Sequence, residues 1–365
     1  MKKVLFFIGN GFNYYLKSKF KEHDLLTEDE IEQVDRIINL WDKFDDYFTE
    51  VKKYFLKIDS GLTDEEILEQ IYESLNLLYL LNQSKIIQNK TCNDCIDNTK
   101  ESIQKNIFQM LNNIVIEYID NLAVTYKIDE LMEKNSQIKI LDQIDFSVVT
   151  TNYDNLVDEF FRIRKYKLED GFLTRTCNSS NYESLDFVCF DDDNFSINNK
   201  IIHLHGSFMF FEKKNKSIKF KRNSINNEVY TEFTKKGYYP NIVFNVPSLK
   251  EKIISQSYIL STYLKKIEKI QGDETLIFIA GLSLKSDPHL KKILIDILEK
   301  RFSNNQDLLL VIYDKNPEDV ANEIFSVCTI KNESDKKDFE LKLKEKLFYS
   351  SKIGMLKSLE ESLES

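Results

Sequence analysis

Apolar positions along this chain follow two regimes. Val4, Leu5, Phe6, Phe7 and Ile8 form an unbroken run that stops at Gly9-Asn10-Gly11, the pattern of a buried strand ending in a tight turn. From there to about residue 140 the spacing is helical, as in Leu68, Ile71, Leu75, Leu78 and Tyr79, and again in Ile107, Met110, Leu111, Ile114, Val115 and Tyr118. Between Phe12 and Val148 there is one glycine, Gly61, and no proline, so helix breakers are nearly absent. The spacing predicts mostly helix over 13–140, with at least three long helices and a polar loop at 82–102. Trp41, Phe44 and Phe48 share one side of such a helix, a pattern that suits core or interface.

The pattern changes near residue 145. DFSVVTTNYD (145–154), NKIIHLHGSF (199–208), ETLIFIAGLSL (274–284) and DLLLVIYDKN (307–316) each read as a short buried strand, and helical patterns follow 154, 287 and 316. Together with the first run, this alternation predicts an α/β fold with a Rossmann-like, largely parallel sheet of about six strands flanked by helices. A large helical insertion would occupy 25–140. Residues 331–365 are charged and amphipathic and read as a C-terminal helical tail. The charged stretch 212–222 reads as a solvated face, and 212–239 also suits a mobile flap over a cleft.

Four of the predicted strands end in polar or glycine-containing clusters: Gly9-Asn10-Gly11-Phe12-Asn13, Thr150-Thr151-Asn152-Tyr153-Asp154, His203-Leu204-His205-Gly206 and Gly281-Leu282-Ser283-Leu284. Ligands of open parallel sheets bind at the carboxyl ends of the strands, so these clusters would line one cleft. Loops also favour Gly, Asn and Asp on their own account.

Composition narrows the function. With 42% hydrophobic and 30% charged residues the chain is that of a soluble globular protein. A net charge of −10 disfavours nonspecific nucleic-acid binding, so no nucleic-acid partner is expected. No run reaches the roughly 20 apolar residues of a membrane span, and the N-terminus lacks the cleavage site of a signal peptide. Five cysteines, an odd number, fit a reducing, cytoplasmic setting.

The ordered set GNGFN (9–13), TTNYD (150–154), HLHG (203–206) and GLSL (281–284) resembles the sirtuin-like NAD-binding proteins of bacteria. The resemblance covers roughly 2–16, 145–162, 200–211 and 240–320, and IGNGFN is similar to the AbiH-type and related phage-defence branches. It implies a sirtuin-like NAD-binding domain over 1–330, interrupted by the insertion. By the same resemblance Asn152 and His205 are catalytic, with His205 addressing the ribose or a water. Asn152 taken alone also suits a helix cap, and Asp154 is read first as such a cap. Gly9, Asn10 and Gly11 would offer main-chain N–H groups to the pyrophosphate at a helix N-terminus. Phe12 and Asn13 would shape the nicotinamide side, Asp154 the nicotinamide-ribose region, and Gly281 and Ser283 the phosphate or adenosine ribose, with Thr151 also binding the cofactor. Asp314 to Asn316 would approach the adenosine half. His203 reads as a supporting residue; His289 is either a family feature or a helix-start residue.

Two departures sharpen this expectation. Deacylating sirtuins carry two Cys-x-x-Cys pairs after the HG histidine; here Cys92 and Cys95 precede TTNYD, and Cys177 and Cys189 stand twelve apart. The cysteines therefore read as ordinary free thiols, and no metal is expected. Tyr14 stands where the hydride-transfer fingerprint needs a third glycine, so NAD is expected as a substrate rather than a redox cofactor. The resulting expectation is an NAD glycohydrolase that forms ADP-ribose and nicotinamide in anti-phage abortive infection. The alternatives are an NAD-dependent protein deacylase and a non-enzymatic sensor of NAD or ADP-ribose. Because free NAD hydrolysis would kill the host, the resemblance further implies a homo-oligomer and gating by a HerA-like ATPase or a phage-derived trigger.

Overall fold

The computed structural model describes residues 3–39, 114–121, 127–134, 136–162, 168–173, 187–191, 200–213, 216–220, 227–235, 238–243, 247–267, 275–285, 287–306, 308–350 and 354–364. Its strands in chain order are β1 (Lys3–Ile8), β2 (Asp145–Thr150), β3 (Phe172–Leu173), β4 (Phe187–Phe190), β5 (Ile201–His203), β6 (Gly206–Lys213), β7 (Lys216–Phe220), β8 (Tyr239–Ile242), β9 (Thr275–Ala280), β10 (Leu310–Tyr313) and β11 (Leu347–Ser350). Six of them form one sheet in the order β11-β10-β9-β1-β2-β5. Every pairing in that sheet is parallel, as the α/β reading anticipated.

The unbroken apolar run of β1 has its cause in this placement. β1 lies between β2 and β9, and Val4 to Ile8 are buried, so both faces of the strand meet protein. Phe6 packs against Phe146, Phe161 and Phe278, joining three strand and helix segments into one aromatic core. Helices Gly11–Glu22, Leu156–Arg162, Pro288–Ser303 and Pro317–Phe325 follow β1, β2, β9 and β10. The last two begin on proline at the first helical turn, where the missing N–H costs nothing. Among the described residues no helix is long and apolar enough to cross a membrane.

Three expectations need correction. The HLHG segment is not one continuous strand: β5 ends at His203, a turn carries Leu204 and His205, and the chain re-enters as β6 at Gly206. Residues 212–239 are not simply a flap, because β6, β7 and β8 join β3 and β4 in a second, antiparallel sheet of order β3-β4-β7-β6-β8. Its strands bury Phe208, Phe210, Phe211 and Phe220, of which the last three lie outside every strand read from the sequence. The tail is not wholly helical either: β11 pairs in parallel with β10 as an edge strand, between helices Glu333–Lys346 and Met355–Glu364. The centre of the predicted insertion, 40–113, lies outside the described residues, with Trp41, Cys92 and Cys95. Its flanks are helical at Glu28–Ile38, which opens on a Thr27–Glu30 capping box, and at 114–120.

Register places the site. The last rung runs Ser350, Tyr313, Ala280, Ile8, Thr150, His203 across the whole parallel sheet. The ladder then continues one residue past each central strand: Gly9 N–H donates to the Ala280 carbonyl at 3.1 Å, Thr151 N–H to Ile8 at 3.0 Å and Gly281 N–H to Tyr313 at 2.9 Å. Gly11 N–H donates to the Gly281 carbonyl at 2.9 Å, so the loops after β1 and β9 touch main chain to main chain. A Cβ on Gly281, which has φ +56°, would sit 2.5 Å from the Gly11 Cα and the Phe12 nitrogen. Replacing Gly281 with Ala combines a left-handed conformation with a backbone clash and should lower unfolding free energy by about 2–4 kcal/mol. Urea denaturation measures this; an unshifted midpoint would show that the two loops are not in tight contact.

Candidate active site

The strand-end loops enclose a cavity of about 400 Å³. That volume lies within the usual range of small-molecule pockets, roughly 300–1,000 Å³. Its floor is Gly9, Asn10 and Gly11 with Gly281, Leu282 and Ser283; one side is Thr151 to Asp154, and the other holds His205, Lys250 and Asp287. Ile37 and Ile38, at the start of the insertion, close a further wall, fixed there by the Asn10 side-chain amide donating to the Ile38 carbonyl at 3.2 Å.

Asn152 is held from three directions. Its N–H donates to Thr150 Oγ1 at 3.1 Å, its carbonyl faces His203 Nδ1 at 3.2 Å, and its side-chain Nδ2 donates to Asn13 Oδ1 at 3.2 Å. Asn13, fully buried, donates in turn to Asp154 Oδ2 at 2.7 Å and Asn10 Oδ1 at 3.1 Å. Asp154 Oδ1 accepts the Leu156 N–H at 2.9 Å and so caps helix Leu156–Arg162. Burial raises the Asp154 pKa, against the Leu156 and Asn13 hydrogen bonds that favour its charged form. This network spends every side-chain polar atom of Asn13 and leaves one atom over. The Asn152 Oδ1 is buried and has no hydrogen-bond partner among the described residues, on a side chain that lines the cavity.

Behind Asn152 stands an ion-pair cluster. His203 Nε2 meets Asp158 Oδ2 at 2.7 Å, and Lys219 from β7 reaches Asp158 at 3.4 Å and Asp170 at 2.6 Å. Burial would raise the Asp158 pKa, but His203 and Lys219 outweigh it and bring it down to about 2.

His205 is set by its turn. Gly206, at φ +81°, reverses the chain into β6, and the His205 carbonyl accepts the Val243 N–H at 2.9 Å. The ring Nε2 lies 3.1 Å from His289 Nε2 and 3.4 Å from Asp287 Oδ1, and the Lys250 ammonium bonds the same carboxylate oxygen. All four residues are buried. Burial first, then Lys250 and His289, push His205 well below the usual histidine range; burial and Lys250 bring His289 to about 3. Both imidazoles are therefore neutral near pH 7. The donor atoms of His205, Asp287 and His289 lie within 4.8 Å of one another, close enough to share a metal ion, but Lys250 already supplies the cation that Asp287 needs.

Gly9, Asn10, Gly11, Thr151, Asn152, Asp154, His205, Gly281 and Ser283 all line this one cavity. Other expected residues fall elsewhere. Phe12 is core, stacked among Tyr15, Phe160 and Phe161, and Asn13 stands behind the wall rather than in it. The N–H groups of Gly9 and Gly11 are already donated to Ala280 and Gly281, so they are not phosphate donors; these glycines permit the loop-to-loop contact. Asp314 closes a local turn onto the Asn316 N–H and is not among the lining residues. Cys189 is disulfide-bonded, which corrects the reading of the cysteines as free thiols, while Cys177 lies outside the described residues. Lys250 and Asp287 were not anticipated as lining residues. Asp287-Pro288-His289 directly follows the GLSL cluster and was legible as a polar helix start; Lys250 sits in an ordinary amphipathic helix and carried no signal.

A family model described as a SIR2-like domain matches residues 147–331. No curated protein matches the chain. The matched span holds Asn152, His205, Lys250, Asp287 and His289, while Gly9 to Gly11 precede it.

Replacing Asp158 with Asn removes the charge that orients His203 behind Asn152 and should cost about 2–4 kcal/mol. Because folding depresses this carboxyl pKa, its contribution is complete above about pH 4 and is lost as pH falls toward 2. Acid titration of stability should therefore show a step in wild type that the variant lacks; identical profiles would remove Asp158 from the account.

Proposed function

The chain belongs to the SIR2-like domain family, and from that premise we propose that it hydrolyses NAD to ADP-ribose and nicotinamide. The carrying observation is the pairing, in one cavity, of a buried carboxamide with an unspent oxygen, Asn152, and a buried neutral imidazole, His205. An oxygen that the protein leaves unbonded in a buried position is costly unless a ligand donor meets it. A ribose hydroxyl or a water supplies that donor. A neutral histidine can accept a proton, as general-base catalysis requires.

Charge supports the same reading. Among the lining residues Asp154 and Asp287 are acidic and Lys250 is basic, so with both carboxyls ionised the cavity is net negative, against the burial that raises both pKa values. The nicotinamide ring of NAD is a cation, and breaking its bond to C1′ moves positive charge onto the ribose. A negative wall favours both states, and the gain is larger where water is excluded. In the reaction the C1′–N bond breaks with its electron pair passing to the ring nitrogen. The water oxygen bonds C1′, and its proton passes to His205.

A freely running hydrolase would exhaust host NAD. The proposal therefore includes gated activity in phage defence, carried by the likeness of IGNGFN to AbiH-type proteins, with control by oligomerisation, a HerA-like ATPase or a phage-derived trigger. Incubation with NAD and chromatographic separation of products tests the chemistry. Asn152→Ala and His205→Ala should each lower turnover by at least about 10²-fold with the fold retained. Tight NAD binding without turnover would favour a sensor, and unchanged turnover in both variants would overturn the assignment.

A further inference from the structure

The reading above makes His205 a base without saying which ring nitrogen is basic. We propose that Asp287 and His289 are positioning residues that hold the proton of neutral His205 on Nε2, leaving Nδ1 as the basic atom. The role of that atom rests on the NAD-hydrolysis reading; the tautomer does not.

Two imidazole nitrogens 3.1 Å apart share one proton, because two N–H groups or two lone pairs would repel. The remaining question is which ring donates. Asp287 Oδ1 lies 3.4 Å from the same His205 Nε2, and an ionised carboxylate is an acceptor only. Burial raises the Asp287 pKa, and Lys250, bonded to that oxygen, works against burial to favour the ionised form. The carboxylate therefore selects the arrangement in which His205 Nε2 carries hydrogen and points it between Asp287 and His289.

The other groups around the ring do not compete. Tyr153, whose ring centroid is 6.4 Å from that of His205, donates its hydroxyl to the Val243 carbonyl. The main-chain oxygen of His205 is taken by the Val243 N–H. The consequence for His289 is visible. It accepts at Nε2, so it carries its own proton on Nδ1, and that atom is buried without a partner among the described residues. A buried unpaired N–H is unfavourable, and a helix start needs no histidine. Fixing the tautomer of His205 accounts for why one stands here. When Nδ1 takes the proton of water, the imidazolium keeps its Nε2–H between His289 and Asp287, whose carboxylate stabilises the new positive charge; the proton later returns to solvent. The orienting logic is that of a base held by a third group.

The test uses the whole chain with ¹⁵N-labelled histidine. Only four histidines are present, so His23, His203, His205 and His289 can be assigned by single replacements. Long-range ¹H–¹⁵N spectra near pH 7 should show His205 protonated on Nε2 and unprotonated on Nδ1. In His289→Ala and Asp287→Asn that pattern should move toward a mixture, and His289→Gln, whose carboxamide oxygen can accept from Nε2, should restore it. His205 protonated on Nδ1 in wild type would overturn the proposal, as would a pattern unmoved in both variants, or both rings carrying the shifts of metal ligation together with stoichiometric zinc. Should a variant fail to fold by circular dichroism, the wild-type spectrum decides alone. In the NAD assay His289→Ala should lower kcat about 10- to 100-fold with little change in KM. A wild type that leaves NAD intact sinks the hydrolysis reading and leaves the spectra to judge the tautomer.

Discussion

The contact of Gly11 with Gly281 is the constraint from which the rest of the site hangs. Two loops that leave β1 and β9 meet backbone to backbone, and each glycine denies the other room for a side chain. That contact extends the parallel ladder beyond the strands and makes a rigid floor out of what would otherwise be independent turns. Because β1, β2 and β9 end on the same rung, the floor stands level with Thr151, and Asn152 rises from its edge. The N–H groups of Gly9, Gly11 and Gly281 are spent in main-chain hydrogen bonds, so these three residues give the floor a fixed shape.

The site's side chains fall into two sets built differently. Around Asn152 the network is amide to amide to carboxylate, through Asn13 and Asp154, and it has a single unspent acceptor. Around His205 the network is charge paired, with Lys250 on Asp287 and two neutral imidazoles packed beside them. Burial makes each arrangement demanding, since an unmatched charge would cost several kcal/mol. The matched state rigidifies both sets. Both sets face one cavity.

The second sheet has a part in this that its sequence conceals. β6 begins at Gly206, directly after His205, and the Phe208 that follows lines the cavity while packing on Tyr118 at 4.9 Å and Tyr153 at 5.7 Å. Lys219 of β7 completes the cluster behind Asn152. The antiparallel sheet thus braces both sets from outside the parallel core. Its lysine-rich stretches read as solvent-facing, yet Lys219 is drawn inward by Asp158 and Asp170, an attraction that no local pattern reports.

The sequence by itself determined the parallel sheet, its strands other than β11, and the four clusters at their ends. These are consequences of local chemistry: unbroken apolar runs need burial on both faces, and the turns that end them need glycine and polar residues. Only the tertiary structure decided how the clusters are used. It placed Phe12 in the core, bonded the Gly9 and Gly11 N–H groups to the neighbouring loop, and brought Lys250, Asp287 and His289 to His205. Hydrogen bonding and charge pairing act through space over a few ångströms, between residues as far apart in the chain as Gly9 and Ala280. Periodicity along the chain carries no record of such distances, so the partners of each side chain appear only once the elements are packed.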